Sequence, residues 1–140
     1  MIKLNTYINE AWSGMKQHSL KADIEAWCDE MGIEKYTINS QGEIDVNGSV
    51  SLDRRDFKEL PYKFGGVNGW FDVGYNKNLI SLKNCPDFVI GNFSCSDCPQ
   101  LDSLEGAPQK VKDNFFCRRC KRKFTKEEVK SLCKVNNIYL

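Results

Sequence analysis

The sequence predicts an α/β solenoid: stacked coils sharing a parallel sheet, with a helical cap before them and a short capping helix after them. Three observations carry this. The chain matches itself every 22 residues, reading VNGWFDVGYNKNLISLKNCPDF over 67–88 and VIGNFSCSDCPQLDSLEGAPQK over 89–110. Like residues recur in columns, namely Val67/Val89/Val111, Phe71/Phe93/Phe115, Val73/Cys95/Cys117, Leu79/Leu101, Leu82/Leu104 and Pro86/Pro108. Outside the repeat the pattern changes, to helical spacing before it and a helix-capping sequence after it. A fixed period of about 20–30 residues with apolar columns marks a repeat that buries its core only by stacking on its neighbours.

Ile2, Leu4, Tyr7, Ile8, Ala11, Trp12 and Met15 form a stripe at three-to-four spacing, which predicts an amphipathic helix over 2–17. Ser19 is placed as the N-cap of a second helix with Leu20, Ile24, Trp27, Cys28 and Met31 on its apolar face, and Gly32 supplies its stop. Two alternating segments, 36–39 and 44–46, flank a Ser-Gln-Gly turn and read as a hairpin. Residues 1–45 are thus expected to form a helical and hairpin cap. The solenoid follows over 46–124, beginning with a looser copy at Val46 that is one residue shorter and ending in a third that starts at Val111. Within a repeat, period-two alternation over 92–96 turns Phe93 and Cys95 inward and Asn92, Ser94 and Ser96 outward. The return arm through Leu101, Leu104 and Pro108 is too short for an α-helix and suits extended or 3₁₀ structure. Thr125 with Glu128 is a capping box, Phe124 with Val129 a hydrophobic staple, and Ile138 to Leu140 a short terminal strand, so 125–140 reads as a second cap on one compact domain.

The chain has 140 residues and a formal net charge of +1. The charge is uneven: residues 1–60 carry 7 Lys/Arg against 11 Asp/Glu, and residues 61–140 carry 13 against 8. No apolar run is long enough to span a bilayer and the first residues lack a secretory pattern, so a cytosolic protein with reduced cysteines is expected. The single histidine, His18, falls between the two expected helices. No nucleophile–base pair, phosphate loop or metalloprotease motif appears, and Gly65, Gly66 and Gly69 are turn glycines of the repeat, so a non-catalytic protein is expected.

The block Phe93-Ser94-Cys95-Ser96-Asp97-Cys98-Pro99-Gln100-Leu101 resembles the leucine-rich-repeat core L-x-L-x-x-(N/C)-x-x-L. Its Asn or Cys position, which in that family bonds backbone groups of the neighbouring coil, is here Arg55, Asn76, Cys98 and Cys120. The chain departs from that pattern at Arg55 and in the spacing from Val67 to Phe71, one residue longer than usual. The wording of YTINSQGEIDVNGSV, LPYKFGGVNG, FSCSDCPQLDSLEGAPQKV and KRKFTKEEVKSLCKV resembles small leucine-rich-repeat-like proteins of tailed bacteriophages. This resemblance covers nearly the whole chain. It implies a leucine-rich-repeat-like fold in the cytoplasm of an infected bacterium, and it carries no functional residues.

Cys95-x-x-Cys98 and Cys117-x-x-Cys120 match the spacing of a four-thiolate zinc site. The repeat register generates the same spacing, because Cys95 and Cys117 occupy the position of Val73, and Cys98 and Cys120 that of Asn76. The favoured expectation is therefore no cofactor, with buried thiols standing in for an apolar residue and for the Asn donor. Zinc is the alternative.

Two surfaces are candidates for binding. Stacking sets outward residues in rows: Ser49, Trp70, Asn92, Asn114; then Ser51, Asp72, Ser94, Phe116; then Asp53, Gly74, Ser96, Arg118. Trp70, Asp72, Asn92, Ser94, Asn114, Phe116 and Arg118 combine aromatics, amides and a guanidinium, the composition of protein-interface anchors. They predict a module that binds, and by the phage resemblance inhibits, a host protein, a defence factor included. The alternative is nucleic-acid binding through Arg118, Arg119, Lys121, Arg122 and Lys123.

Overall fold

The computed structural model describes residues 19–140. They divide between Gly32 and Ile33 into two compact units, so the hairpin belongs with the coils rather than with the helical segment before it. In the first unit, residues 19–30 form helix α1. Ile24 and Cys28 are its buried positions. The chain leaves the helix at Gly32, whose φ of +72° suits glycine and whose N–H donates to Asp29 O at 3.2 Å. Ser19, expected as the N-cap, is itself helical. The helix expected over 2–17, and His18, lie outside the described residues.

The second unit is a β-solenoid-like stack of about four turns built on two largely parallel five-stranded sheets. The first sheet runs β1 (Tyr36–Ile38), β2 (Ile44–Val46), β4 (Phe64–Val67), β6 (Phe88–Val89), β8 (Lys110–Val111). The second runs β10 (Asn137–Tyr139), β9 (Asn114–Phe116), β7 (Phe93–Ser94), β5 (Phe71–Asp72), β3 (Val50–Ser51). Only β1 and β2 pair antiparallel; the Asn39 side-chain oxygen closes their turn by accepting the N–H groups of Gln41 at 2.9 Å and Glu43 at 3.0 Å. Among the described residues no helix is long and apolar enough to cross a membrane.

The coils stack in register. In the second sheet Val50 lies beside Phe71, Phe71 beside Phe93, Phe93 beside Phe115 and Phe115 beside Ile138. The rings of Phe71 and Phe93 are parallel to within 5° at 6.1 Å, and those of Phe93 and Phe115 are 5.1 Å apart. In the first sheet Val67, Val89 and Val111 align, with Val46 before them. The corners between the sheets place backbone on backbone: a Cβ at Gly69 would lie 2.6 Å from Gly48 O, and one at Gly91 would lie 2.8 Å from Gly69 C, so neither position has room for a side chain.

Beyond β3, β5, β7 and β9 the chain turns through a left-handed residue, Arg54, Tyr75, Asp97 and Arg119 in successive coils, with φ between +52° and +59°. The next residue fastens the turn. Asn76 is fully buried; its Nδ2 donates to Leu52 O at 2.9 Å and Val73 O at 2.8 Å, and its Oδ1 accepts from Arg55 N–H at 2.9 Å. Cys98 and Cys120 repeat the donation with sulfur, to Val73 O at 3.5 Å and Cys95 O at 3.3 Å. Helix α2 (Lys126–Leu132) follows the last coil and has the expected capping box, with Phe124 and Val129 both buried. The expected terminal strand is β10, the last strand of the second sheet.

Candidate functional site

The outward residues of the second sheet form the expected rows, and hydrogen bonds hold them there. Ser49 Oγ accepts from Trp70 N–H at 3.1 Å, Asn92 Oδ1 from Asn114 N–H at 3.1 Å and Nδ2 at 2.9 Å, and Ser96 Oγ from Arg118 N–H at 2.9 Å. Asp72, Ser94 and Phe116 lie side by side on adjacent strands. Trp70, Phe71, Asp72, Asn92, Ser94 and Phe116 line one depression of about 190 Å³. Within the row the small Ser94 lies between the larger Asp72 and Phe116, which leaves the space between them open. Asn114 sits on the adjoining strand position and Arg118 at the neighbouring row. Trp70 keeps 45% of its surface exposed, so it is not a core residue.

Strand β10 extends the Asn114 and Phe116 rows of this face by one more residue each, which sequence reasoning missed. Tyr139 pairs with Phe116, their rings stacked at 4.9 Å and 16°, and the Arg118 guanidinium lies 5.6 Å from the Tyr139 ring centre. The alternation of Ile138 and Tyr139 was the available signal: if Ile138 joins the phenylalanine column, Tyr139 must face out.

Asp72 differs from the other carboxylates of the face. Its Oδ1 accepts from Gly74 N–H at 2.7 Å and the Ser94 hydroxyl donates to the carboxylate, but among the described residues no Lys or Arg forms an ion pair with it. Burial pushes its carboxyl above the usual range, and the nearby Asp53 charge adds to this. Arg54, which acts on Asp72 through space, is bound to Asp53 and lies 4.6 Å from the centre of the Tyr75 ring.

The basic run is assembled differently from its sequence appearance. Arg119 and Asp97 form a two-bond pair in which Nη2 is 2.9 Å from Oδ2. Arg122 grips Glu128 through both terminal nitrogens at 3.0 and 2.6 Å and also reaches Asp102 Oδ1 at 3.4 Å. Lys121 stands 4.0 Å from Asp102. The hydrogen bonds with Arg119 and Arg122 hold the Asp97 and Glu128 carboxyls below their usual range. Three carboxylates therefore answer three of the five cations, leaving Arg118 and Lys123 without a carboxylate partner among the described residues.

The four repeat cysteines are placed by register. Cys95, Cys98 and Cys117 are buried and Cys120 is half-buried. Cys117 and Cys120 have their sulfurs 3.5 Å apart, while Cys98 turns to backbone oxygens. Among the described residues no group of three or more His, Cys, Asp or Glu is gathered as a metal would need. Burial pushes the Cys98 thiol up to about 11 and raises Cys95, and the hydrogen bond with Cys117 together with burial raises Cys120. At neutral pH these sulfurs keep their protons and serve as donors.

No protein-family model, curated protein or solved structure matches the chain.

A second depression, of about 500 Å³, lies over the first sheet, with Phe88 and Ile90 exposed beside Thr37, Asp45 and Asn68. Alternation around Val89 turns both residues outward, but their counterparts are Gly66 and Asn68 in one neighbouring coil and Lys110 and Lys112 in the other, so the apolar patch is confined to a single coil. It lacks the row-to-row continuity of the Trp70 face.

Proposed function

We propose that this protein is a non-catalytic protein-binding module whose contact surface is the outer face of the second sheet, centred on Trp70, Asp72, Asn92, Ser94 and Phe116 and flanked by Asn114, Arg118 and Tyr139. The observation that carries this reading is the single depression in which five of these residues, drawn from three adjacent coils, come together. Exposed aromatics beside a guanidinium and amides on a rigid sheet supply contact area with little side-chain ordering on binding. The resemblance to bacteriophage repeat proteins supports a bacterial host protein as partner, of which a defence factor is one kind, and the cytoplasm of the infected cell as the place. Nucleic-acid binding has less support: a carboxylate sits in the depression, and carboxylates engage most of the basic run.

The test is capture of a partner from nuclease-treated bacterial lysate by the wild type and by Trp70→Ala and Phe116→Ala. Each substitution is expected to weaken the recovered complex by roughly 30-fold or more, the effect of losing an interface anchor worth about 2 kcal/mol. Urea unfolding of Trp70→Ala is expected to stay within about 1 kcal/mol of wild type, as for an exposed site. Partner recovery that depends on nucleic acid, or that ignores both substitutions, would remove this reading.

A further inference from the structure

We propose that the depression is a socket for one basic side chain of the partner protein, an arginine or a lysine, with Asp72 supplying the charge and Trp70 and Phe116 the aromatic walls. This rests on the protein-binding reading of the face and adds the chemistry of what enters it.

Asp72 is the group that asks for a cation. A half-buried carboxylate loses hydration and regains it only from donors or a cation. Gly74 N–H donates to one oxygen at 2.7 Å, the Ser94 hydroxyl donates to the carboxylate as well and Arg54 acts on it through space, but no Lys or Arg of the described residues forms an ion pair with it. The group is thus held in a fixed direction with its charge incompletely answered, in a partly desolvated place where an incoming cation gains more than it would in water.

The walls suit the same ligand. Trp70 and Asp72 belong to the coil of β5, Phe116 to β9, two strands away and so roughly 9.6 Å distant, backbone to backbone. Ser94 on the intervening strand leaves the floor low. A cation near the face of an indole or phenyl ring is attracted by the ring quadrupole, and a guanidinium can stack on it as well. A volume of about 190 Å³ accommodates one long side chain and no folded element. An anionic group would meet the Asp72 charge directly, which sets this socket against phosphate and acidic ligands. Arg118, at the adjoining row, makes an acidic neighbour of the inserted basic residue the complementary choice.

The probe is N-acetyl-arginine amide, titrated into ¹⁵N-labelled protein and followed by NMR, with N-acetyl-citrulline amide as the neutral isostere. Saturable shifts at the Trp70 indole N–H and at the Asp72 and Ser94 amides are expected at millimolar concentrations, a scale set by a single side chain, with citrulline about 10-fold weaker. Asp72→Asn should bring arginine down to the citrulline level. Because the folded Asp72 carboxyl is raised, its charged form costs stability above that raised range, and the cost disappears as pH falls below the ordinary value of 3.8. Asp72→Asn is therefore expected to melt at the wild-type temperature or higher at pH 7, which separates loss of binding from loss of fold. No saturable shift at this face up to about 50 mM, equal binding of citrulline, or an unaffected Asp72→Asn would overturn the socket. Should Asp72→Asn still capture the lysate partner while Trp70→Ala does not, the socket fails and the binding face stands. If neither substitution matters, both fail.

Discussion

Phe93→Ala is expected to be the most damaging single truncation in the solenoid, costing about 3–5 kcal/mol in urea unfolding. Phe93 is fully buried and contacts like rings on both sides, Phe71 at 6.1 Å and Phe115 at 5.1 Å. Its loss leaves a cavity that backbone spacing keeps open, since adjacent strands remain fixed by their ladder hydrogen bonds. The position matters as much as the volume. A stacked array holds together through nearest-neighbour contacts, so removing the middle of the column separates coils that an end residue such as Val50 merely terminates. For a unit of this size the melting temperature should fall by roughly 15–30 °C. A loss below about 1 kcal/mol would mean the three rings do not share one core.

Asn76→Ala should follow, at about 2–4 kcal/mol, because it removes a fully buried side chain and leaves two backbone groups without a replacement partner. Arg55 N–H loses its acceptor and Leu52 O its donor, whereas Val73 O keeps the Cys98 thiol at 3.5 Å. Asn76→Cys should cost about half as much, since sulfur donates to the equivalent carbonyl in the next two coils but offers Arg55 N–H only a weak acceptor. Equal costs for the two variants would show that Cys98 and Cys120 do not do the work of an asparagine.

These effects arise from features that differ in how far the sequence exposed them. Phe71, Phe93 and Phe115 are legible as one column because large apolar residues at a fixed period are what a stacked core requires. The equivalence of Asn76, Cys98 and Cys120 is legible for the same reason, and it accounts for a zinc-like spacing. The first sheet is legible only as its Val67/Val89/Val111 column; that it forms a separate sheet is not, because one inward residue per coil sets no alternation and β4 carries an extra residue where Asp45 Oδ1 accepts from Gly66 N–H at 2.8 Å. At the candidate site the rows follow from register alone, but the lack of an ion-pair partner for Asp72 does not, because it depends on Arg54 having turned to Asp53. The pairing of Asp97 with Arg119 is available in principle, since they occupy the same repeat position in adjacent coils; register places charges over one another as it does apolar residues.

Both the phenylalanine core and the binding face depend on side chains 21 or 22 residues apart lying over one another. Ring-to-ring nuclear Overhauser contacts test this most directly, in protein labelled only at phenylalanine. Phe93 is expected to show cross-peaks to both Phe71 and Phe115, with none between Phe71 and Phe115. Three isolated phenylalanine ring systems, or cross-peaks linking Phe93 instead to the exposed Phe88, would contradict it.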